Sequence, residues 1–170
     1  MSAPPSITPD YSDSFNIIRV AQYYKSVNQN LTSGSTDITF NLTQPWNNDG
    51  GYITHTNGTS NFTVVQSGLY QLEFSATINA NGATWNVGTN KVISLDITRI
   101  GIAEVVAIGQ ANNTATTTSY IQSVCSSFYL VAGDIINCRV QNNYATATPN
   151  VAGITNSFDL NTFFTWRFIQ

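Results

Sequence analysis

The stretch from Asn61 to Asn79, NFTVVQSGLYQLEFSATIN, decides the fold of this chain. From residue 70 onward, every second position is apolar and polar side chains stand between; the apolar positions are Tyr70, Leu72, Phe74, Ala76 and Ile78. A β-strand places alternate side chains on opposite faces, whereas the faces of a helix repeat every 3.6 residues. The stretch therefore predicts a long strand with one buried face. A turn at 66–68 and a shorter strand at 62–65 precede it.

The same alternation recurs along most of the 170 residues. Runs rich in β-branched and aromatic residues alternate with Gly and Asn turns, which predicts further strands at 15–27, 36–42, 52–56, 91–100, 103–109, 120–130, 136–141 and 160–169. Regular short strands without an amphipathic helix indicate an all-β fold, a single sandwich of about ten antiparallel strands. Residues 1–13 carry three prolines and few large apolar groups, so we expect an extended N-terminal arm, with the domain at 14–170.

The composition excludes several function classes. Only 9% of the residues are charged, the net charge is −3, and the six Lys and Arg residues form no basic run. This predicts no direct contact with nucleic acid, because binding to phosphates needs clustered cations. No apolar stretch approaches the roughly 20 residues of a membrane span, and residues 1–15 do not have the pattern of a secretory signal.

The first and last predicted strands are apolar on both faces. Phe15–Val27 and Leu160–Ile169 should lie side by side in one sheet, and a lone subunit would then expose aromatic surface. Exposed apolar patches of this kind usually mark interfaces. We therefore predict that other copies of the chain cover five aromatic residues: Tyr23, Tyr24, Phe163, Phe164 and Trp166.

Three motifs resemble the jelly rolls of tumour necrosis factor and the complement globular heads. Phe62-x-Val64-x-x-x-Gly68-x-Tyr70 is similar to a signature of these domains, and Phe128-x-Leu130-x-x-Gly133-Asp134-x-Ile136 is similar to one of their corners. The aromatic run 163–166 takes the place of their last strand. The resemblance covers about residues 36–169. It implies a TNF-like jelly roll that assembles as a homotrimer around an aromatic axis, with the five aromatic residues as trimer contacts, and it implies no enzyme.

The chain also departs from the secreted members of that superfamily, because it has no collagen-like G-X-Y repeat and few cations. Stand-alone jelly rolls rich in Asn and Thr resemble structural proteins of viruses and phages. This favours a virion structural protein, a capsid component that caps, forms a spike or heads a fibre. Its expected partners are other virion proteins and a host receptor or glycan. The alternatives are a secreted, extracellular complement-like ligand and a carbohydrate-binding module.

The sequence carries no recognisable catalytic or metal-binding pattern. His55 is the single histidine, no G-x-S-x-G motif occurs, and Cys125 and Cys138 do not have metal-site spacing. Asp49 in NNDGG is best explained as a turn residue. We therefore predict no catalytic residue, no metal site and no cofactor. Two tryptophans, Trp46 and Trp85, fall in loops and are the predicted ligand or receptor contacts.

Overall fold

The computed structural model describes residues 19–32, 34–43, 51–80, 90–112, 119–142, 149–153 and 162–169. The predicted arm at 1–13, Trp46, Asp49 and Trp85 lie outside these residues. The described strands are β1 (Val20–Tyr24), β2 (Gln29–Asn30), β3 (Gly34–Asp37), β4 (Leu42–Thr43), β5 (Ile53–His55), β6 (Asn61–Val64), β7 (Gly68–Asn79), β8 (Asn90–Arg99), β9 (Ile102–Asn112), β10 (Ser119–Leu130), β11 (Ile135–Asn142), β12 (Asn150–Val151) and β13 (Phe163–Phe168). No helix occurs in the described residues, so the all-β prediction is confirmed.

The first sheet is built around the predicted central strand, β7. Strand β10 pairs with β7 along its whole length from Gly68 to Asn79. On the other side of β7, β13 pairs with residues 70–75 and the short β12 with residues 78–79. β1 lies beside β13, β4 lies beside β1, and β2 beside β12. The first and last long strands are therefore neighbours, as the sequence predicts. We call this the β7 sheet.

The second sheet has the order β5-β6-β11-β8-β9, and β3 also pairs with β11. We call this the β11 sheet. All of its pairings are antiparallel. The outermost described strand on one side is β9, just as β10 is outermost in the β7 sheet. Because β9 and β10 also contact each other, the two long edge strands lie on the same open side of the sandwich.

The core lies between the sheets and follows the predicted alternation. All five apolar positions of β7 from Tyr70 to Ile78 are buried. Facing them are the inward residues of β8 and β11, which are Ile93, Leu95, Ile97, Ile136, Cys138 and Val140. Full burial of one large apolar side chain contributes roughly 1.5–3 kcal/mol, so these two rows supply much of the stability.

The strand predicted at 36–42 is split between the two sheets. Its first part, β3, pairs with β11, and its last part, β4, pairs with β1. Ile38 and Phe40 lie between the two parts and are fully buried. The chain crosses from one sheet to the other at this point. The alternation of apolar and polar residues does not show the crossing, because the same alternate residues face the core before and after it.

A buried lysine fastens this crossing to the end of β1. Lys25 is 1% exposed, and its Nζ donates hydrogen bonds to Gln29 Oε1 at 2.8 Å and to both the carbonyl oxygen and Oγ1 of Thr39 at 3.0 Å. Burial lowers the pKa of Lys25 to about 8. Three acceptors partly offset the cost of removing the ammonium from water. The contact therefore orders the crossing, but below pH 8, where Lys25 is charged, its burial lowers the free energy of unfolding.

Candidate functional site

Four of the five aromatic residues predicted as trimer contacts are covered by their own chain. Tyr23, Phe164 and Trp166 are 3%, 0% and 0% exposed, and Tyr24 is also buried, while Phe163 is half-buried. The prediction that these buried rings need a second copy to exclude water is therefore wrong. Tyr23, Phe164 and Trp166 face the interior and meet rings of the domain itself, with Phe62–Phe164 centroids 4.4 Å apart and Tyr70–Trp166 centroids 5.9 Å apart.

His55 ends strand β5, and both of its ring nitrogens lie close to backbone oxygens. Its Nδ1 lies 3.0 Å from the carbonyl oxygen of Asn61 and its Nε2 lies 3.0 Å from that of Phe40. The imidazole also stacks on Phe62, with ring centroids 4.2 Å apart. Both ring nitrogens are thus turned to backbone oxygens, and this arrangement does not place the imidazole as a general base for a neighbouring nucleophile.

The two cysteines differ in setting and are unpaired. Cys138 is fully buried, and burial, followed by the nearby carboxylates of Asp96 and Asp37, raises the pKa of its thiol well above the usual value. A thiol held in its protonated form is a poor nucleophile and a poor metal ligand. Cys125 is exposed on the outer side of β10, where Gln71 Nε2 lies 3.7 Å from its sulfur. Within the part of the chain that the structure describes, no cluster of His, Cys, Asp and Glu could hold a metal ion.

The edge strands β9 and β10 approach each other closely at one end. A Cβ added to Gly109 would lie 3.0 Å from the carbonyl oxygen of Ser123 and 3.1 Å from Gln122 Nε2. Only glycine lets the two backbones come so near without a shift. The open side of the sandwich is therefore closed at this end.

At the other end the same two strands diverge around a cleft of about 450 Å³. Apolar side chains form most of its lining, and Arg99 and Glu104 are its charged members; the apolar residues are Ile97, Ile100, Ile102, Val106, Phe128 and Tyr129. We call this the edge cleft. Since the cleft is formed by residues of β8, β9, β10 and the β8–β9 turn, it is an opening of the interior between the two sheets.

Arg99 is held in place at the rim of the edge cleft. Its Nε donates to Asp134 Oδ1 at 2.9 Å, and its Nη2 donates to Asp134 Oδ2 and to the carbonyl oxygen of Tyr129. The hydrogen bond from Arg99 is the main cause that lowers the pKa of the buried Asp134 carboxyl. Asp134 Oδ2 also accepts from the backbone N–H of Val131 at 2.8 Å. Arg99 thus forms an ion pair with Asp134, and this hydrogen-bonded pair first and the nearby carboxylate of Glu104 last raise the pKa of Arg99.

Apolar side chains project into solvent along both edge strands. The exposed fractions are 66% for Ile102, 54% for Val105, 59% for Ile108, 66% for Ile121 and 65% for Tyr129. We call these five residues the edge patch; they flank the open edge from both sides, with Ile121 and Tyr129 on the outer face of the β7 sheet and Val105 and Ile108 on the outer face of the β11 sheet. Strand β10 has neither a charged residue nor a proline over its twelve residues, and those are the usual devices that protect a sheet edge from pairing. Sequence reasoning missed this surface.

A second surface lies on the outer side of the β7 sheet. Arg167 is exposed there, directly opposite Val20 on β1 and Gln71 on β7. Leu69 and Ile169 point to the same side and are joined by a backbone hydrogen bond of 2.8 Å. We call Val20, Leu69, Arg167 and Ile169 the outer-face patch. It combines partly exposed apolar groups with one cation.

Comparisons with known proteins support the fold. The structure is similar to murine APRIL at pH 5.0, with 14% identity, a TM-score of 0.61, and coverage of 88% of this chain and 98% of that one. It is similar to Eiger TNF from S. frugiperda, with 14% identity, a TM-score of 0.60, and coverage of 90% and 93%. The globular domain of zebrafish complement 1qA matches with 13% identity, a TM-score of 0.60, and coverage of 89% and 98%.

These likenesses confirm the predicted TNF-like jelly roll. No family model and no curated protein sequence matches the chain. At 13–14% identity the similarity concerns the fold. No helix in the described residues is long and apolar enough to span a membrane.

Proposed function

We propose that this chain is a non-catalytic jelly-roll module that associates into a homotrimer, with the edge patch of one copy against the outer-face patch of the next. The observation that carries the proposal is the edge patch, where five large apolar side chains are more than half exposed on two outermost strands. Apolar surface on unprotected strand edges favours association, because pairing removes it from water. The number three follows the resemblance to TNF and complement jelly rolls.

The contact joins two different surfaces of the same molecule. Such a heterologous contact closes into a ring when the rotation between copies returns to the start, and it gives a filament when it does not. The close-packed end at Gly109 and the open end at the edge cleft make the edge asymmetric along the strands. A copy can therefore dock on the edge in one direction only.

We place this trimer in a virion, as a capping, spike or fibre-head component that meets other virion proteins and a host receptor or glycan. Its low charged fraction of 9% and its abundance of Asn and Thr support this setting. Electron microscopy of the source material tests it, because copurification with particles supports the virion and its absence from purified particles contradicts it.

The alternative is an extracellular ligand. The likeness in fold to Eiger TNF and to a complement globular domain favours it. Trp46 and Trp85 stay the predicted contacts in either setting, including the carbohydrate-binding one. Loss of glycan or cell binding in Trp46→Ala and Trp85→Ala, with an unchanged trimer, would support their role.

Sedimentation velocity and light scattering test the trimer directly. The expected species at micromolar concentration has a mass of about 55 kDa, three times the 18.5 kDa of the chain. Ile108→Ser, which places a small polar group in the edge patch, should shift the equilibrium towards the monomer. Wild-type protein that stays at 18.5 kDa up to high micromolar concentration would contradict the proposal.

A further inference from the structure

The hairpin formed by β5 and β6 carries a second cleft, of about 290 Å³. Strand β5 is outermost in the β11 sheet on the side opposite β9, so this cleft is separated from the edge patch by the width of the sheet. Its described lining is entirely polar, and the residues are Thr54, His55, Thr56, Thr59, Asn61 and Thr63. We call it the hairpin cleft. It lies outside both surfaces that the proposed trimer uses and stays open in each copy.

The hairpin around this cleft is held to the crossing between the two sheets. Phe40 donates its backbone N–H to the carbonyl oxygen of Thr59 at 3.1 Å, and its own carbonyl oxygen accepts from the N–H of Gly58 at 2.7 Å. His55 Nε2 lies 3.0 Å from the same carbonyl oxygen, and Nδ1 lies 3.0 Å from that of Asn61. The turn and both strands are thus ordered before a ligand arrives, which lowers the entropic cost of binding.

Polar groups in the hairpin cleft remain available to a ligand. Asn61 Oδ1 accepts from Asn137 Nδ2 at 2.8 Å, which orients the side-chain amide and leaves its Nδ2 as a donor. Within the described part of the chain, the hydroxyls of Thr56 and Thr63 have no hydrogen-bond partner. Each hydroxyl can both donate and accept. The cleft therefore offers one amide donor and two hydroxyls, a set of groups that complements the neighbouring hydroxyls of a sugar ring.

The charge around the hairpin cleft selects the class of sugar. No Lys, Arg, Asp or Glu is among its described lining residues, and both nitrogens of His55 are turned to backbone oxygens. The chain has six Lys and Arg residues in all. Five of them are engaged or placed elsewhere: Lys25 is buried, Arg99 and Arg139 pair with aspartates, Arg19 lies over the ring of Tyr52, and Arg167 lies on β13 of the other sheet.

Lys91 is the remaining cation, and its position in β8 is remote. Thr63 of the cleft lies opposite Ile135, and Ile135 lies opposite Thr98 of β8. Lys91 is roughly 24 Å from Thr98 along that strand, a distance that a lysine side chain does not span. A sialylated or sulfated sugar would therefore bring an anion to the cleft without a cation to receive it, whereas a neutral sugar needs none.

We propose that the hairpin cleft binds a neutral glycan through the sugar hydroxyls. This inference rests on the proposed function and deepens it, because it gives the glycan partner a site and a chemical class. One open cleft with few hydrogen bonds should bind weakly, with a dissociation constant on the order of 1 mM, because water competes for each bond. Three clefts in a trimer should bind a glycan-coated surface about 100-fold more tightly or better, since several clefts can be occupied together.

Amide NMR titration with neutral sugars tests the site. The probes are methyl α-mannoside, methyl β-galactoside, methyl N-acetyl-β-glucosaminide and lactose at millimolar concentration, and at least one should shift the amide signals of residues 54–63. Thr56→Val/Thr63→Val removes both hydroxyls but keeps the branched shape, and it should weaken binding about tenfold or more. Thr98→Val is the matched control, the same change two strands away on the same sheet, and should bind as the wild type does. Sialyllactose should bind no more tightly than lactose.

The outcomes separate this inference from the trimer. It is overturned if none of the probes shifts the signals of residues 54–63, if the double variant binds as tightly as the wild type, or if sialyllactose binds more tightly than lactose. A monomer that binds a neutral sugar at these residues overturns the trimer and leaves the glycan site standing, whereas a trimer that binds none does the reverse. Because Thr56 and Thr63 are exposed, thermal unfolding of the double variant should match the wild type.

Discussion

The terminal strands β1 and β13 and the edge strands β9 and β10 are all largely apolar in sequence but differ in what covers them. In the terminal pair, Tyr23, Phe164 and Trp166 are buried by the opposite sheet of the same chain. In the edge pair, Ile102, Ile108 and other apolar side chains remain more than half exposed. β13 lies between β7 and β1, whereas β9 and β10 end their sheets. The edge strand β10 still buries its inward Val124 and Leu130, so the face that a residue occupies, together with the position of its strand, decides where surface is left for a partner.

The largest expected effect tests the covered half of this comparison. Trp166→Ala should lower the free energy of unfolding by about 3–5 kcal/mol, because it removes a fully buried indole and leaves a cavity beside Tyr70. Ile108→Ser on the edge should change it by no more than about 0.5 kcal/mol. Urea unfolding at the lowest workable concentration measures both with little contribution from association. Similar losses in the two variants would contradict the contrast between the strand pairs.

An intermediate effect concerns the buried amine that fastens the end of β1. The folded pKa of Lys25 is lowered to about 8 from 10.5, so the unfolded chain binds more protons between these values and stability rises with pH there. From pH 7 to pH 9.5 the wild type should gain about 2 kcal/mol relative to Lys25→Met, which removes the titrating group. Denaturant unfolding of both proteins across this range measures the difference. A constant difference would show that Lys25 is charged in the fold throughout.

The smallest expected effect lies at the β8–β9 turn, beside the edge cleft. Ile100 has a φ of 51° and is 96% exposed, and the following Gly101 also has a positive φ of 77°. A β-branched residue is unfavourable in this conformation, whereas Asn tolerates it. Ile100→Asn should therefore raise the free energy of unfolding by about 1 kcal/mol.

Ile102→Asn is the control for that turn variant, because residue 102 is also exposed but is not among the residues with positive φ. It should give no gain in thermal stability. An unchanged or lower melting temperature in Ile100→Asn would mean that Ile100 packs against other residues in the isolated chain. That result would contradict the exposure of the edge strands at this turn.

Much of the fold was readable from the sequence. The alternation in 70–78, in 93–97 and in 136–140 identified the inward rows, and all of these rows are buried. The crossing between β3 and β4 could not be predicted from the sequence, because every second residue faces the core on both sides of it. The two-residue strands β2 and β12 carry too few positions for any period to be recognised.

The candidate surface was not readable for a different reason. A register shift between Leu95 and Asp96 gives β9 an extra residue, so Ala107 lies opposite Leu95 while Val105 lies opposite Asp96. The bulge reverses the faces along β9, with Val106 partly buried and Val105 exposed. In IAEVVAIGQAN the apolar residues therefore fit no single period, and the sequence cannot separate those that fill the core from those that face solvent.

By itself the sequence determined the strands, the inward rows and the pairing of the first and last strands, because side-chain alternation and turn residues act over a few neighbours. Only the tertiary structure decided which apolar faces are already covered and where the sandwich stays open at the edge cleft. Those properties depend on the packing of one sheet on the other and on strand order, which join residues far apart in the chain.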